Sequence, residues 1–364
     1  MALQCGIIGI TNVGKTTIYN CMSSTKAEAS GFSYGSKTNL SIINVPDERL
    51  KELQRFQPTD RSVHATVEIV DIPGLTKSSG RSDKGANQFL ADIRNCDALV
   101  HVVRCFDDPN LPHIDGSVDP IRDIETVNFE LQVKDLESVE KKISRQEKLI
   151  KTGDKDAKHI IEVLTAYKNH LEDFKNAISA PVSDDDKKHV ADLFLLSTKP
   201  IIYVCNVDEK SAINGNKYVE KVREFFKNEN TEILVIAGKL ESEIAELEDE
   251  NDRMEFLKEV GLLEPGVNKL IRAAYSLLNL ETFFTIGQKE NRAWTIKKGM
   301  TAPQAAGVIH SDLERGFIRS EVMKYNDFMT LGSEQACKEK GKFYIEGKNY
   351  IVEDGDILHI RFNV

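Results

Sequence analysis

Eight consecutive residues near the start of the chain have the types and spacing that bind a polyphosphate. Residues 9–16 read G-I-T-N-V-G-K-T and fit the pattern G-x4-G-K-[ST] at every fixed position. In this pattern, backbone N–H groups and a helix N-terminus surround the phosphates, and Lys15 contacts the β and γ phosphates. The Thr16 hydroxyl completes the coordination shell of a Mg2+ ion. The predicted phosphate-binding residues form one run: Asn12, Val13, Gly14, Lys15, Thr16 and Thr17.

The segments on either side of this loop have the pattern that such a site requires. Residues 5–10 form a short apolar run typical of a buried strand, and residues 17–22 read as the opening of a helix. An ordinary turn that contains two glycines by chance would not need a strand before it and a helix after it. The sequence therefore favours a strand, a phosphate-binding loop and a helix in that order.

A second motif follows another apolar run. Residues 66–72 are typical of a strand, and Asp71 and Gly74 have the spacing D-x-x-G. In this spacing, the aspartate contacts magnesium through water and the glycine N–H meets the γ-phosphate. The D-x-x-G motif alone is weak evidence for a phosphate contact. Its position after a strand and after the first loop makes that evidence strong. We predict that Lys15, Asp71 and Gly74 are catalytic.

Length and composition place these motifs in an ordinary globular protein. The chain has 364 residues, which allows more than one domain, and 40% of them are hydrophobic. There is no apolar run of membrane-spanning length and no signal-peptide pattern, so we expect a cytoplasmic protein without a membrane partner. The six cysteines lack C-x-x-C spacing and a neighbouring histidine cluster, which predicts reduced thiols and argues against a structural zinc site.

Long helical periodicity interrupts the strand pattern at about residues 125–195. It predicts a hairpin of two helices, the second extending to Ile178. Residues 141–158, near the predicted tip, carry seven basic and three acidic side chains, although the whole chain has a net charge of −10. This tip is either a solvated helix surface or a contact for RNA phosphate.

Two later apolar runs predict strands whose ends would meet a nucleotide base. Ligands bind at the carboxyl ends of parallel strands, although either end could instead be a plain exit into a loop. The predicted base contacts follow residues 200–205 and 232–236: Asn206, Val207, Glu209, Ala237, Gly238 and Lys239.

The first of these strand ends predicts the choice of base. Guanine-specific domains use N-K-x-D, whereas this chain has N-V-D-E, which places the longer Glu209 at the aspartate position. One extra methylene spoils a bidentate fit to guanine. We therefore expect ATP to bind at least as well as GTP. The alternative is that Asp208 turns inward and restores selectivity for guanine.

The residues after Asn279 read as a small, separate α+β domain. They contain several strand-like runs, including residues 350–352, and one helix predicted over residues 303–313. The predicted fold class is α/β: a P-loop G domain at residues 1–278, interrupted by the helical hairpin, and an α+β domain at residues 279–364.

The chain resembles the YchF family of Obg-like ATPases along its whole length. The matching stretches include C-G-I-I-G-x-x-N-V-G-K-T, D-I-P-G-L, V-H-V-V-R-C-F, the strand end N-V-D-E, N-K-L-I-R-A-A-Y and A-P-Q-A-A-G-V-I-H-S-D. The resemblance implies a C-terminal TGS domain of β-grasp fold. It also implies Mg-dependent ATP hydrolysis and association with the ribosome, through the large subunit or the whole particle, or with RNA. The competing class is a nucleotide-dependent binding switch with incidental turnover, and the sequence does not predict the oligomeric state.

The resemblance also implies roles for residues outside the main motifs. Many G domains have a water-orienting glutamine directly after D-x-x-G, but this chain has Leu75, and the family suggests His113 instead, which could also be a plain loop histidine. Asn12 suggests a K+ ion beside the phosphates. Ser36 stands where the family has a magnesium-binding threonine, and residues 76–87 depart from the family's glycine-rich segment.

Overall fold

A computed structural model describes residues 3–23, 39–75, 84–151 and 156–363. These residues form two six-stranded sheets with helices packed around them. The strands are β1 (Gln4–Ile8), β2 (Asn39–Asn44), β3 (Arg61–Val63), β4 (Thr66–Asp71), β5 (Ala98–Arg104), β6 (Ile201–Asn206), β7 (Ile233–Ile236), β8 (Leu280–Ile286), β9 (Glu290–Lys297), β10 (Phe317–Lys324), β11 (Tyr344–Glu346) and β12 (Asp356–Phe362).

Thirteen α-helices lie within the same described ranges. They are α1 (Lys15–Ser23), α2 (Glu48–Phe56), α3 (Lys84–Asn95), α4 (Pro120–Lys151), α5 (Ala157–Glu172), α6 (Lys217–Phe225), α7 (Gly238–Glu246), α8 (Glu250–Glu259), α9 (Gly266–Leu277), α10 (Ala302–Ile309), α11 (Ser311–Arg315), α12 (Tyr325–Leu331) and α13 (Glu334–Glu339).

The first sheet has the order β2-β4-β1-β5-β6-β7. Strand β2 is antiparallel to β4, and the other neighbours are parallel. Every residue of β5 is buried, as expected for a parallel strand whose two faces are covered by helices. The parallel strands all end at one edge of the sheet, so the segments that follow β1, β4, β5, β6 and β7 lie together there. The apolar runs in the sequence predict all five of these strands, including β5 from residues 98–103.

The helical insertion contains α4 and α5, which pack on each other through a small apolar core. Val139, Leu164 and Tyr167 are among its buried residues. The prediction that the second helix continues to Ile178 is wrong. Helix α5 ends at Glu172, and Phe174 adopts a left-handed backbone conformation with φ 57°. The buried Gln132 holds this break, because its amide donates to the Phe174 carbonyl at 3.3 Å.

The second sheet has the order β11-β10-β12-β8-β9-β3. Its last strand, β3, comes from the first half of the chain and pairs in parallel with β9. Sequence reasoning missed both β3 and β10. Strand β10 escapes a simple alternation pattern because a register shift lies between Phe317 and Arg319, and because Ser320 and Glu321 are polar but buried.

Two further predictions for this part of the chain need correction. The helix predicted over residues 303–313 is two helices, α10 and α11, separated at His310, whose backbone is extended. The strand predicted over residues 350–352 makes only an isolated bridge from Ile351 to Thr301. Helices α12 and α13 are also absent from the predictions made from the sequence.

None of the helices in the described ranges combines the length and the apolar character needed to cross a bilayer.

Candidate functional site

The loop between β1 and α1 has a backbone that only particular residues can adopt. Gly9 has φ 144° and Gly14 has φ 94°. A Cβ atom on Gly9 would lie 2.5 Å from the Val102 carbonyl oxygen, and one on Gly14 would lie 2.2 Å from the Asn206 amide nitrogen. Both positions therefore require glycine. Asn12 also has a left-handed conformation, with φ 62°, which asparagine tolerates better than most residues.

Lys15 is the buried cation of this loop. Its side chain is 7% exposed, and Nζ donates a hydrogen bond to the Ile10 carbonyl at 2.6 Å. Burial lowers the pKa of Lys15 to about 8, although the charge of Asp71 partly opposes this effect. A phosphate bound beside this buried ammonium group would therefore stabilise its charged form.

Thr16 and Asp71 lie together beside this lysine. The Thr16 hydroxyl donates to Oδ2 of Asp71 at 3.2 Å. Burial raises the pKa of Asp71, while the Thr16 hydrogen bond and the Lys15 charge oppose the rise. Oδ1 of Asp71 is buried and has no hydrogen-bond partner among the described residues. A hydroxyl and a carboxylate with an unused oxygen form the kind of donor set that Mg2+ prefers.

The segment containing Gly74 is fixed against the phosphate-binding loop. The Leu75 N–H donates to the Gly9 carbonyl at 3.1 Å, and Ile10 and Leu75 form a parallel bridge. A Cβ atom on Gly74 would lie 2.5 Å from Nζ of Lys15. The second motif therefore reaches the lysine only because its last residue is glycine. The structure brings together Lys15, Thr16, Asp71 and Gly74 as the sequence predicts.

A cleft of about 1190 Å³ extends from this loop across the ends of β5, β6 and β7. The phosphate-binding side is lined by Asn12, Gly14, Lys15, Thr16 and Thr17. The other walls come from three segments, which are residues 106–111, 206–210 and 216–218, together with Gly238, Lys239 and Ser242. Val13 and Ala237 are buried, at 0% and 2% exposure, in the backbone that supports the cleft.

Arg104 organises a cleft wall that sequence reasoning did not identify. This arginine is 2% exposed at the end of β5, and its guanidinium donates to the carbonyls of Phe106 at 3.1 Å and Leu111 at 2.8 Å. It also lies 4.7 Å from the centre of the Phe106 ring. A charged residue ending a mostly apolar strand is a signal in the sequence, because such a residue needs several buried acceptors.

Asn206 joins the phosphate-binding loop to the opposite side of the cleft. Its amide nitrogen donates to the Val13 carbonyl at 2.8 Å, and its amide oxygen accepts the Gly238 N–H at 3.0 Å. The Val207 N–H is also used, since it donates to the Ile236 carbonyl at 2.9 Å. Asn206 was predicted as a group that could contact the base. The structure uses its oxygen and one N–H to align the two loops.

The two acidic residues after Asn206 have separate partners. Asp208 caps the short helical turn that follows, and its Oδ1 accepts the backbone N–H of Ser211 at 3.1 Å. Both of its oxygens also accept the Ser211 hydroxyl at 3.1 Å. Glu209 pairs with Lys239 at 2.7 Å across the mouth of the cleft. Neither carboxylate is directed freely into the cleft.

His113 does not lie with the phosphate-binding residues. It is not among the described residues that line the cleft, and its side chain is 3% exposed. Nε2 lies 2.9 Å from Oδ2 of Asp123, and Nδ1 accepts the backbone N–H of Asp115 at 3.0 Å. Both ring nitrogens are therefore engaged in a cluster that also contains Arg122. In this arrangement His113 cannot orient a water molecule beside the γ-phosphate.

Three predicted features lie wholly or partly outside the described residues. These are Ser36, the predicted magnesium ligand, residues 76–83 of the segment after D-x-x-G, and residues 152–155 of the predicted basic tip.

A phosphate-binding loop at the carboxyl edge of a mostly parallel sheet defines the P-loop nucleoside triphosphatases of the G-domain type. A family model described as "50S ribosome-binding GTPase" matches residues 4–207. A second, named YchF-GTPase_C and described as a protein of unknown function, matches residues 280–363. Individual relatives identify the family within this class of protein.

The "Ribosome-binding ATPase YchF" of Bacillus subtilis is 47% identical over the full length of both chains. "Obg-like ATPase 1" of Pongo abelii is 41% identical, covering 100% of this chain and 93% of that protein. The solved Schizosaccharomyces pombe YchF GTPase superposes with a TM-score of 0.88 at 32% identity, covering 99% of this chain and 97% of that one. The chain therefore belongs to the YchF family.

The low pKa of Lys15 predicts that nucleotide binding takes up a proton in mildly alkaline solution. Above about pH 8 the free lysine loses its charge, and bound phosphate restores it. Titration calorimetry in buffers of different ionisation enthalpy should show uptake of nearly one proton at about pH 9 and little at pH 7, with affinity falling about tenfold per pH unit above pH 8.

Two variants test whether Lys15 is the group that takes up the proton. The Lys15→Met protein should show no proton uptake, whereas Thr16→Ala, which keeps the lysine, should retain it. Equal uptake in the wild type and Lys15→Met would assign the proton to another group.

Proposed function

We propose that this protein is a Mg-dependent nucleoside triphosphatase that hydrolyses ATP at least as well as GTP and acts in association with the ribosome in the cytoplasm. The observation that supports hydrolysis is the meeting of Lys15, Thr16, Asp71 and Gly74 at one end of the cleft. Phosphoryl transfer depends mainly on positioning and on neutralising charge, and these four residues can do both.

Each of these residues has a distinct role in the proposal. Lys15 places its charge on the β and γ phosphates, and the glycine at position 74 leaves space for the phosphate beside that charge. Thr16 and Asp71 would hold Mg2+. When bound, the ion supplies positive charge that offsets the charge of the phosphate oxygens. Asn206 keeps the phosphate-binding loop in register with the base-binding side of the cleft.

The partners of Asp208 and Glu209 support the proposed choice of base. A guanine-reading carboxylate must be free to accept two hydrogen bonds from the base. Asp208 instead caps a helical turn, and Glu209 is neutralised by Lys239. Guanine therefore gains no dedicated acceptor over adenine. The names of the relatives include both ATPase and GTPase, so the cleft itself must support this part of the proposal.

We expect the magnesium complex of a non-hydrolysable ATP analogue to bind at least as tightly as its GTP counterpart. Calorimetric titration measures both affinities directly. Glu209→Asp should weaken the pairing with Lys239 and restore the aspartate of the guanine motif, improving the affinity for the GTP analogue by up to about tenfold. Glu243→Asp is the matched control, because Glu243 also lies 3.9 Å from Lys239 but does not line the cleft.

One result of this titration would contradict the proposed preference for ATP. A wild-type preference of tenfold or more for the guanine analogue would make the protein a GTPase and would rule out an ATP preference.

Hydrolysis also needs a group that orients water. Leu75 is buried and cannot form a side-chain hydrogen bond, and His113 is engaged with Asp123. We propose that a K+ ion held with the help of Asn12, which lines the cleft, adds positive charge beside the phosphates. His113 can contribute only after it leaves Asp123. This arrangement favours slow intrinsic turnover, so a nucleotide-dependent switch is the second candidate function.

Turnover should therefore depend on both Lys15 and potassium. Lys15→Ala should lower the steady-state rate of ATP hydrolysis by about a hundredfold or more, because it removes charge that stabilises the transferred phosphoryl group.

Replacing K+ with Na+ should slow ATP hydrolysis by the wild type but not by Asn12→Ala. Equal wild-type rates in the two salts would remove the ion from the mechanism, and a normal rate in His113→Ala would remove the histidine. Ribosomal effects that persist undiminished in Lys15→Ala would favour the switch.

A ribosomal contact is proposed because relatives are named ribosome-binding ATPases and because one helix face is basic. Lys141, Arg145 and Lys148 are exposed and spaced along one side of α4. They stand out in an acidic chain, and phosphate groups of ribosomal RNA are suitable partners for them. Such a contact would connect the helical insertion to the ribosome while the cleft binds nucleotide.

Charge reversal at these three positions should weaken ribosome binding. The Lys141→Glu, Arg145→Glu, Lys148→Glu protein should co-sediment with ribosomes less than the wild type and should show a weaker dependence on salt, since it releases fewer counterions. Three exposed bases in and just after α6 provide the control, in the protein Lys221→Glu, Arg223→Glu, Lys227→Glu. Unchanged co-sedimentation of the α4 variant would place the contact elsewhere, for example on the C-terminal sheet.

A further inference from the structure

Three potential metal ligands meet on the helical insertion, away from the nucleotide cleft. His159 lies in the first turn of α5, and Asp186 and His189 belong to a short 3-10 helix, Asp186–His189. One ligand atom from each side chain lies within 4.8 Å of the other two. The sequence did not suggest this cluster, because 27 residues separate His159 from Asp186.

The carboxylate of this cluster is held in place by its second oxygen. Oδ1 of Asp186 lies 2.7 Å from Nε2 of His159. Oδ2 accepts the Ser183 hydroxyl at 2.7 Å, and the Ser183 oxygen in turn accepts the Asp186 N–H at 3.2 Å. A hydrogen bond to the oxygen that does not bind metal is a common way to orient a ligating carboxylate.

The second imidazole is also on an anchored segment. The His189 ring lies 5.6 Å from the His159 ring, centre to centre, in an edge-to-face arrangement at 84°. Nζ of Lys142, on α4, donates to the His189 carbonyl at 2.7 Å. Val190, the next residue, is 6% exposed and packs into the apolar core of the insertion. The three ligands therefore stand on two segments that are already fixed relative to each other.

Two of the nearby lysines are paired with carboxylates, which reduces their repulsion of a cation, while Lys158 and Lys188 are exposed to solvent. Lys142 forms an ion pair with Asp192, and Lys187 forms one with Asp184 at 2.7 Å. Glu162 adds another carboxylate, 3.8 Å from Nδ1 of His159. The His159 side chain is 54% exposed, so an ion can reach the cluster from solvent.

A second cluster of potential ligands contains His113, Asp115 and Asp123, but a cation is already present there. The guanidinium of Arg122 lies 3.6 Å from Asp115 and 3.4 Å from Asp123. A metal ion in that cluster would be placed against this positive charge. Among the described residues, the cluster on the insertion is therefore the better candidate.

We propose that His159, Asp186 and His189 bind a divalent transition-metal ion of the zinc type. Two imidazole nitrogens and one carboxylate oxygen suit Zn2+, Co2+ or Ni2+ and are a poor set for Mg2+ or Ca2+, which prefer oxygen ligands alone. The ion replaces the hydrogen bond between His159 and Asp186, and water completes the shell. Its effect is to tie the segment containing residues 183–189 to the beginning of α5.

Cobalt provides a direct test on the full-length protein, freed of any histidine tag, treated with chelator and kept in excess Mg2+. Co2+ should bind with one equivalent and give the visible absorption of a low-symmetry site, and Zn2+ should displace it. His159→Ala and His189→Ala should each weaken Co2+ binding at least tenfold. His170→Ala, a histidine on the same helix that contacts Ser179, should bind like the wild type.

Stability measurements separate loss of the ligand from loss of the fold. Zn2+ should raise the Tm of the wild type and of His170→Ala but not of His159→Ala or Asp186→Asn, while all four proteins should unfold at similar temperatures without metal. The proposal is overturned if Co2+ binds His159→Ala and His189→Ala as tightly as the wild type, or if the wild type shows no bound Co2+ in excess Mg2+.

Discussion

A buried ammonium group is the constraint on which the nucleotide end of the molecule depends. Burying a cation costs several kcal/mol unless nearby groups compensate for it, and Lys15 has the Ile10 carbonyl and a nearby carboxylate to do so. The surrounding residues fit this requirement. Gly74 leaves room beside the ammonium, Asp71 moderates its loss of charge, and Asn206 fixes the loop that carries it. The free protein is thus electrostatically prepared for an anion before one arrives.

The parts of this site that could be predicted are local in sequence. A phosphate-binding loop needs glycines, a lysine and a hydroxyl at fixed spacing, and D-x-x-G needs only four residues, so both are visible without the fold. The partner of a side chain cannot be predicted in this way, because it depends on the fold. Glu209 is recognisable as a changed base-reading residue, but its pairing with Lys239 depends on two strands lying side by side. His113 shows the same limit, because the partner that removes it from the cleft is on the next helix.

The fold was predictable to a similar extent and for similar reasons. The parallel strands of the first sheet are continuous apolar runs, so their existence follows from composition alone. Strand β10 contains buried polar residues and a register shift, and β3 has only three residues, so neither has the alternation that marks an exposed-face strand. The end of α5 is set by a tertiary contact, the hydrogen bond from Gln132 to Phe174, which helical periodicity cannot reveal.

The pairing of β3 with β9 means that the two halves of the chain are not interchangeable modules. Beyond β3, the Thr295 hydroxyl donates to the Thr66 carbonyl at 3.0 Å, and the buried Asn291 donates to the Gln57 carbonyl at 2.8 Å. Cutting the chain after Leu278 would leave the edge of β3 open to association with other strands. Strand β4 begins at Thr66, which contacts Thr295, and ends at Asp71, which contacts Thr16, so a single strand connects this junction to the phosphate-binding loop. The boundary between the domains is therefore a shared structural element, and a replacement C-terminal domain would need an edge strand able to pair with β3 in parallel.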